Sequence, residues 1–166
     1  HARLPTERYY EEEGRAELTP RDFGILMHRV FENAATTDEI YMAIEAMTQD
    51  GVLDEKEAPR LRELVEKALA DPVTAEWFGG RWQVVRNENE IILPGSGTTR
   101  RPDRVMTDGE RAVVVDYKFG DRETARHRKQ IREYLRLLRQ MGYTRTEGYL
   151  WYVRLGRTER VEEKED

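Results

Sequence analysis

The sequence predicts an α/β (α+β) fold: a central mixed sheet with an antiparallel meander, flanking helices and a helical layer on the N-terminal side. Three observations lead there. Apolar residues recur at helical spacing through roughly the first 80 positions, as in Phe23, Met27, Val30, Phe31 and Ala34. The period then shortens, and Ala112 to Val115 reads as a strand covered on both faces. A long amphipathic pattern over about 122–141, followed by an apolar run at 149–153, adds a helix and a closing strand.

Each element has a local reason. Thr19-Pro20 supplies an N-cap and a proline at the first helical position. A second helix is expected from about Asp38 to Thr48, introduced by Thr36-x-x-Glu39 as a capping box and ended near Gly51. A third, about Asp54 to Leu69, carries Leu61, Leu64, Val65, Ala68 and Leu69 on one stripe. Asp71-Pro72 starts a short fourth that stops at Gly79-Gly80. Trp82 to Val85 and Glu90 to Leu93 read as strands, with a Pro94-Gly95-Ser96-Gly97 loop after them. Val105–Thr107 and Ala112–Lys118 flank Asp108-Gly109, a strong hairpin signal. The helix from about Arg122 to Met141 shows Ile131, Tyr134, Leu135, Leu138 and Met141 on one face and stops at Gly142. Tyr149 to Val153 forms the closing strand, and the charged run Glu159 to Asp166 is expected to fray. The chain thus reads as a single domain over 1–166: a helical layer (19–80), a sheet with its long helix (81–154) and a charged tail (155–166).

At 166 residues, 38% hydrophobic and 37% charged, the chain is long enough for one domain with a real core. No run approaches the roughly 18 apolar residues that span a bilayer, so no membrane partner is expected and a cytoplasmic location is the default. The absence of cysteine excludes disulfides, zinc–thiolate sites and iron–sulfur clusters. The first residue is His rather than Met, which suggests a domain cut from a longer polypeptide. The net charge is −5, but residues 100–146 hold 13 Lys/Arg against 7 Asp/Glu. Such asymmetry suits a polyanion; a solvated helix face is the plainer explanation.

The chemistry concentrates in AVVVDYKFGD, 112–121. Asp116 and Lys118 are two apart on a strand and therefore point to the same side. A connection centred on Gly109 and Glu110 pairs position 103 with position 116, which sets two carboxylates about 4.5–5.5 Å apart at their Cβ atoms; a tighter Asp-Gly turn shifts the register by two and leaves the two acids diagonal neighbours. Holding both ionised requires a cation, and an all-oxygen site suits Mg²⁺ or Mn²⁺. Lys118 would then orient an attacking water or offset charge developing on a phosphoryl oxygen. An inert Asp–Lys ion pair at a strand tip is the alternative.

RPDRV (101–105) followed by VVDYKFG (114–120) resembles the PD-(D/E)XK nuclease superfamily, with Pro102-Asp103 as the "PD" and Asp116-Tyr117-Lys118 as the "(D/E)XK". Upstream, GILMH sets Gly24 and His28 one helical turn apart; downstream, QIREY sets Gln130 and Tyr134 on one helix face. A GxxxH helix before the core and a QxxxY helix after it resemble the RecB-type branch. The closest likeness is to nuclease domains at the C-terminal end of AddA/RecB-like (UvrD/Rep-type) helicase polypeptides, and QMGYTRTEGYLWYV (140–153) resembles the end of such domains.

The resemblance implies a restriction-endonuclease-like core over roughly Thr19 to Val153. It implies that Asp103, Asp116, the Tyr117 carbonyl and His28 hold Mg²⁺ (or Mn²⁺), that Lys118 acts on the attacking water, and that Gln130 and Tyr134 line the site and help place DNA. Each has a plainer alternative: His28 borders the apolar stripe beside Met27 and Phe31, and Tyr134 lies within the stripe of its own helix. Relatives carry another acid on the preceding strand, for which Glu88 and Glu90 are both candidates. Arg126 and Lys129, among the basic residues of the QxxxY helix, are candidates for following a phosphate backbone, and His127 can face the site or solvent.

The expected activity is therefore metal-dependent hydrolysis of single- or double-stranded DNA. It is expected to be exonucleolytic and joined to a helicase motor in the same polypeptide or complex, in the bacterial cytoplasm at the nucleoid, during double-strand-break repair and recombination. A restriction- or junction-type endonuclease and a catalytically decayed DNA-binding or assembly module are the rivals on the same fold. A helical interaction domain would leave the Asp103–Lys118 arrangement unexplained.

Overall fold

A computed structural model describes residues 20–91, 101–120 and 125–164. Among these residues four helices come first: α1 (Pro20–Phe31), α2 (Thr37–Gln49), α3 (Glu57–Ala68) and α4 (Pro72–Trp77). Then follow β1 (Val84–Asn87), β2 (Arg104–Asp108), β3 (Arg111–Lys118), helix α5 (Ala125–Gln140), β4 (Arg145–Tyr152) and β5 (Arg157–Val161). The caps act as expected: Thr36 accepts from the Glu39 N–H, and Asp71 from the Val73 N–H. Asp54 caps α3 from outside it, accepting from the Lys56 and Glu57 N–H groups at 2.7 and 2.6 Å. No helix among the described residues is long and apolar enough to cross a membrane.

The five strands form one mixed sheet in the order β1-β2-β3-β4-β5. Only β3 and β4 are parallel, and α5 connects them as a crossover; the other neighbours are antiparallel. The β2–β3 register, from Asp108↔Arg111 to Arg104↔Val115, sets position 103 opposite 116 at the next step. Helices cover both faces. On one, Met106, Val113, Val115, Tyr117 and Trp151 pack against α1–α4; on the other, Val105, Ala112, Val114 and Leu150 pack against Ile131, Tyr134, Leu135 and Leu138 of α5. By strand parity Asp116 and Lys118 belong to the α5 side and Tyr117 to the opposite one. Gly148 of β4 explains how closely α5 lies on the sheet: a Cβ there would overlap Cγ2 of Ile131 and meet Leu135 Cδ1 at 3.1 Å.

Four expectations are corrected. The strand read at Trp82–Val85 lies two residues later. Glu90, expected to begin a strand over 90–93, instead ends the 3₁₀ turn Glu88–Glu90, its carboxylate accepting the Asn87 N–H at 3.1 Å, while residues 92–93 lie outside the described residues. The closing strand, expected at 149–153, begins at Arg145 because it pairs with the whole of β3, from Arg111↔Arg145 to Lys118↔Tyr152. Residues 157–161, read as part of a frayed charged tail, form β5; Val161 is buried, and Arg128 and Arg139 hold Glu159 and Glu163 across it. Thr19, the 94–97 loop and Arg122 lie outside the described residues.

Candidate active site

The site lies at the end of the sheet where β3 finishes, and it begins with the hairpin. Asp103 and Asp116 are both buried. Each carboxylate is tied to the other strand: Asp116 Oδ1 accepts the Asp103 N–H at 3.1 Å, and Asp103 Oδ2 accepts the Tyr117 N–H at 2.7 Å. These bonds hold the acids side by side and orient the second oxygen of Asp103 outward. That oxygen, Oδ1, lies 3.1 Å from His28 Nε2.

His28 arrives from α1. The Gly24 one turn earlier is where α1 comes closest to the chain beyond β3, since a Cβ on it would sit 3.2 Å from that of Phe119. A side chain there would require Phe119 or α1, the helix that carries His28, to give by a few tenths of an ångström. From the other side comes Glu88, whose Oε2 is 3.4 Å from His28 Nε2. Ligand-type atoms of His28, Glu88 and Asp103 all fall within 4.8 Å of one another. The hydrogen bond to Asp103 raises the His28 pKa above its usual 6.5; burial opposes this, and Asp103, Glu88 and Glu32 add to it through their charge.

A mixed set of one imidazole and carboxylates, partly open to solvent, fits a divalent cation that keeps waters or substrate oxygens among its ligands. Asp116 lies outside the three-residue group, its Oδ1 engaged by the Asp103 backbone. Of the two candidate acids, Glu88 faces His28, whereas Glu90 caps its own turn. The Tyr117 side chain is buried on the opposite face against Phe31 and Trp151, its pKa pushed well up by burial.

Lys118 ends β3 half-buried, on the side of Asp116. Gln130 and Tyr134 sit one turn apart on α5, which covers that side. The Gln130 Oε1 is buried without a hydrogen-bond partner among the described residues, an unusual state for an amide oxygen and one that a ligand would relieve. Tyr134 is buried in the α5 core, and burial, partly offset by Arg101, pushes its phenol to about 12, so at neutral pH it is a donor. Arg126 and Lys129 are exposed and His127 is half-buried. Much of the remaining basic face of α5 is committed elsewhere: Arg128 to Glu159, Arg139 to Glu163, and Arg132 to the Glu162 carbonyl.

One contributor carried no motif. Arg104 is completely buried, and its guanidinium donates to the carbonyls of Ala34 (2.6 Å), Ala35 (2.8 Å) and Trp77 (2.8 Å) while stacking 4.0 Å over Phe78. Adjacent residues thus grip α1 at two points, Asp103 through His28 and Arg104 through the carbonyls that follow the helix. The signal was parity: two positions before Met106, Arg104 had to face the α1–α4 core, where a charge needs a full set of acceptors.

No protein of curated function matches the sequence. The model of the PD-(D/E)XK nuclease superfamily matches residues 1–166. With a match over the whole chain, and with "PD" and "DYK" opposed on one hairpin of a mixed sheet, the chain belongs to the PD-(D/E)XK nuclease superfamily.

Proposed function

We propose that this chain is a Mg²⁺- or Mn²⁺-dependent deoxyribonuclease domain of the RecB type that hydrolyses phosphodiester bonds exonucleolytically. In this reading it works beside a helicase motor in bacterial double-strand-break repair and recombination. Superfamily membership supports a metal-dependent nuclease; the RecB-type branch is supported by the GxxxH and QxxxY helices flanking the acids. The observation that carries the proposal is the meeting of His28, Glu88 and Asp103 from three separate elements around one point.

His28, Glu88 and Asp103 would hold the cation, with Asp116 and the Tyr117 carbonyl completing its surroundings. A bound divalent cation supplies charge neutralisation and Lewis acidity at the phosphate. The chain's own groups do the rest. Lys118 places an ammonium beside the acids, where it orients a water for in-line attack and offsets charge on the phosphoryl oxygens. Gln130 offers an unsatisfied amide oxygen and Tyr134 a protonated phenol, both suited to fixing substrate or water by hydrogen bonds. Arg126 and Lys129 present exposed cations to a phosphate backbone. No base-edge reader is evident among these residues, so recognition rests on backbone and shape.

The test is degradation of single- and double-stranded DNA by the purified chain with Mg²⁺ or Mn²⁺, stopped by chelator. Asp116→Ala should abolish cleavage and Lys118→Ala reduce it by about 10²–10³-fold, both leaving the circular-dichroism spectrum unchanged. A folded wild-type chain inert on both substrates with both metals overturns the proposal in favour of a decayed DNA-binding module.

A further inference from the structure

A concavity of about 340 Å³ opens between α3 and the β4–β5 turn, lined by none of the ligand-cluster residues and by none of α5. Arg60 and Lys67 of α3 and Arg154 of the turn line it; the one acid there, Glu63, lies 3.6 Å from Lys67 in an exposed pair that leaves the groove cationic. In a chain of net charge −5 this concentration of positive charge runs against the average.

Its position is set by the strand that carries the candidate site. The Val153 N–H donates to the Lys118 carbonyl at 3.0 Å, so the β4–β5 turn continues the sheet end directly beside Lys118. With strands about 4.8 Å apart, the Arg154 backbone lies roughly 5–8 Å from that of Lys118. The Arg154 guanidinium rests 5.8 Å over the ring of Phe23 in α1, and Phe23 in turn meets Phe119 edge to face. The wall of the groove and the α1–β3 junction are therefore one packed unit.

We infer that this groove is a second contact for the sugar–phosphate backbone of the nucleic acid, engaging phosphates next to the one that is cut. The inference rests on the nuclease reading and extends it: α5 would hold one flank of the strand through Arg126 and Lys129, and Arg60 and Arg154 the other. Cations on flexible side chains at an open groove give charge neutralisation without base reading, as a sequence-independent enzyme needs.

The test compares two charge-matched double variants of the full chain. Arg60→Gln/Arg154→Gln removes the groove's arginines; Arg81→Gln/Arg145→Gln removes two exposed arginines toward the opposite end of the sheet. Steady-state cleavage of a labelled oligonucleotide is followed between 50 and about 200 mM salt. The groove variant should raise KM on the order of tenfold, leave kcat at saturating DNA within about twofold, and flatten the plot of log(kcat/KM) against log[salt] by about 1.4–1.8, the loss of two phosphate contacts. The opposite-end variant should behave as wild type. A groove variant indistinguishable from wild type, or two variants equally impaired, overturns the groove while leaving the nuclease reading intact. A wild-type chain that cuts no DNA overturns both.

Discussion

Asp103 and His28 stand 75 positions apart in the chain, yet their side chains meet at 3.1 Å, joining the helical layer to the sheet. Neither residue is placed by a flexible loop. Asp103 is fixed by the hairpin register and its bond from Tyr117 N–H, and His28 by a helix clamped at Gly24 and, past its end, by Arg104. Without a cation the two face each other as a partly buried pair; a cation held as proposed above would exchange that contact for ligation by the same atoms.

That exchange makes metal binding depend on pH with a defined sign. The His28 pKa is raised above 6.5, so in the metal-free protein the pair's stabilisation is present below the unfolded value and is lost as pH rises through the folded one. Metal needs the neutral imidazole, so Mn²⁺ affinity should climb over that same upper range. Calorimetric titrations at several pH values should show this rise, and His28→Gln should flatten it and lower affinity by roughly 10–100-fold. Affinity that falls with increasing pH would remove His28 from the ligand set.

Lys118 should separate from the ligands in its effect. Lys118→Ala is expected to reduce kcat by about 10²–10³-fold, the scale of losing one preorganised electrostatic group, with Mn²⁺ affinity nearly unchanged. Parallel loss of both would make Lys118 a structural partner of the acids rather than a participant in the chemistry.

Arg104→Met should destabilise the fold on the order of 3 kcal/mol, because each buried acceptor left without its donor costs about 1–3 kcal/mol. Urea unfolding measures this directly. In whatever fraction folds, Mn²⁺ binding should also weaken, since α1 loses the grip on Ala34 and Ala35. Stability within about 0.5 kcal/mol of wild type, the range of ordinary surface changes, would show that the guanidinium bonds are dispensable.

At the far end of the sheet, Arg111 binds Glu147 at 2.6 Å and Glu76 at 2.7 Å. Burial alone would raise the Glu147 pKa, but the bonds and charge of Arg111, with help from Tyr149 and Arg160, bring it below 4.5. Its stabilisation is therefore present above pH 4.5 and is lost as pH falls through the depressed value. Glu147→Gln should flatten the acid limb of a stability–pH curve recorded by thermal unfolding while leaving metal affinity alone.

Much of this was legible in the sequence because it depends on local rules. The two-residue connection Gly109-Glu110, flanked by the Asp108↔Arg111 pair, sets the hairpin register and with it the juxtaposition of positions 103 and 116. The helical layer followed from apolar spacing and caps. What escaped depends on long-range pairing. β5 has a charged composition that reads as solvent-exposed, and only the arginines of α5 and the free edge of β4 make it a strand. Glu88 and Glu90 are equivalent in sequence and differ only through the turn that directs one carboxylate to a backbone N–H and the other to His28. Asp103 and Asp116 each give one oxygen to a backbone N–H of the opposite strand, and the contact the sequence does not show is the one between the second Asp103 oxygen and His28.

Gly148 has a bearing on function out of proportion to its distance from the acids. Because α5 is seated against that bare backbone through Ile131, the neighbour of Gln130, any methyl or larger group at 148 must lift the helix off the sheet. Alanine at this position would leave every acid, the histidine and the lysine unaltered, yet displace the stretch of α5 that carries Gln130 and Tyr134. Inactivity in such a variant would trace to the height of a helix, not to the loss of a reacting group.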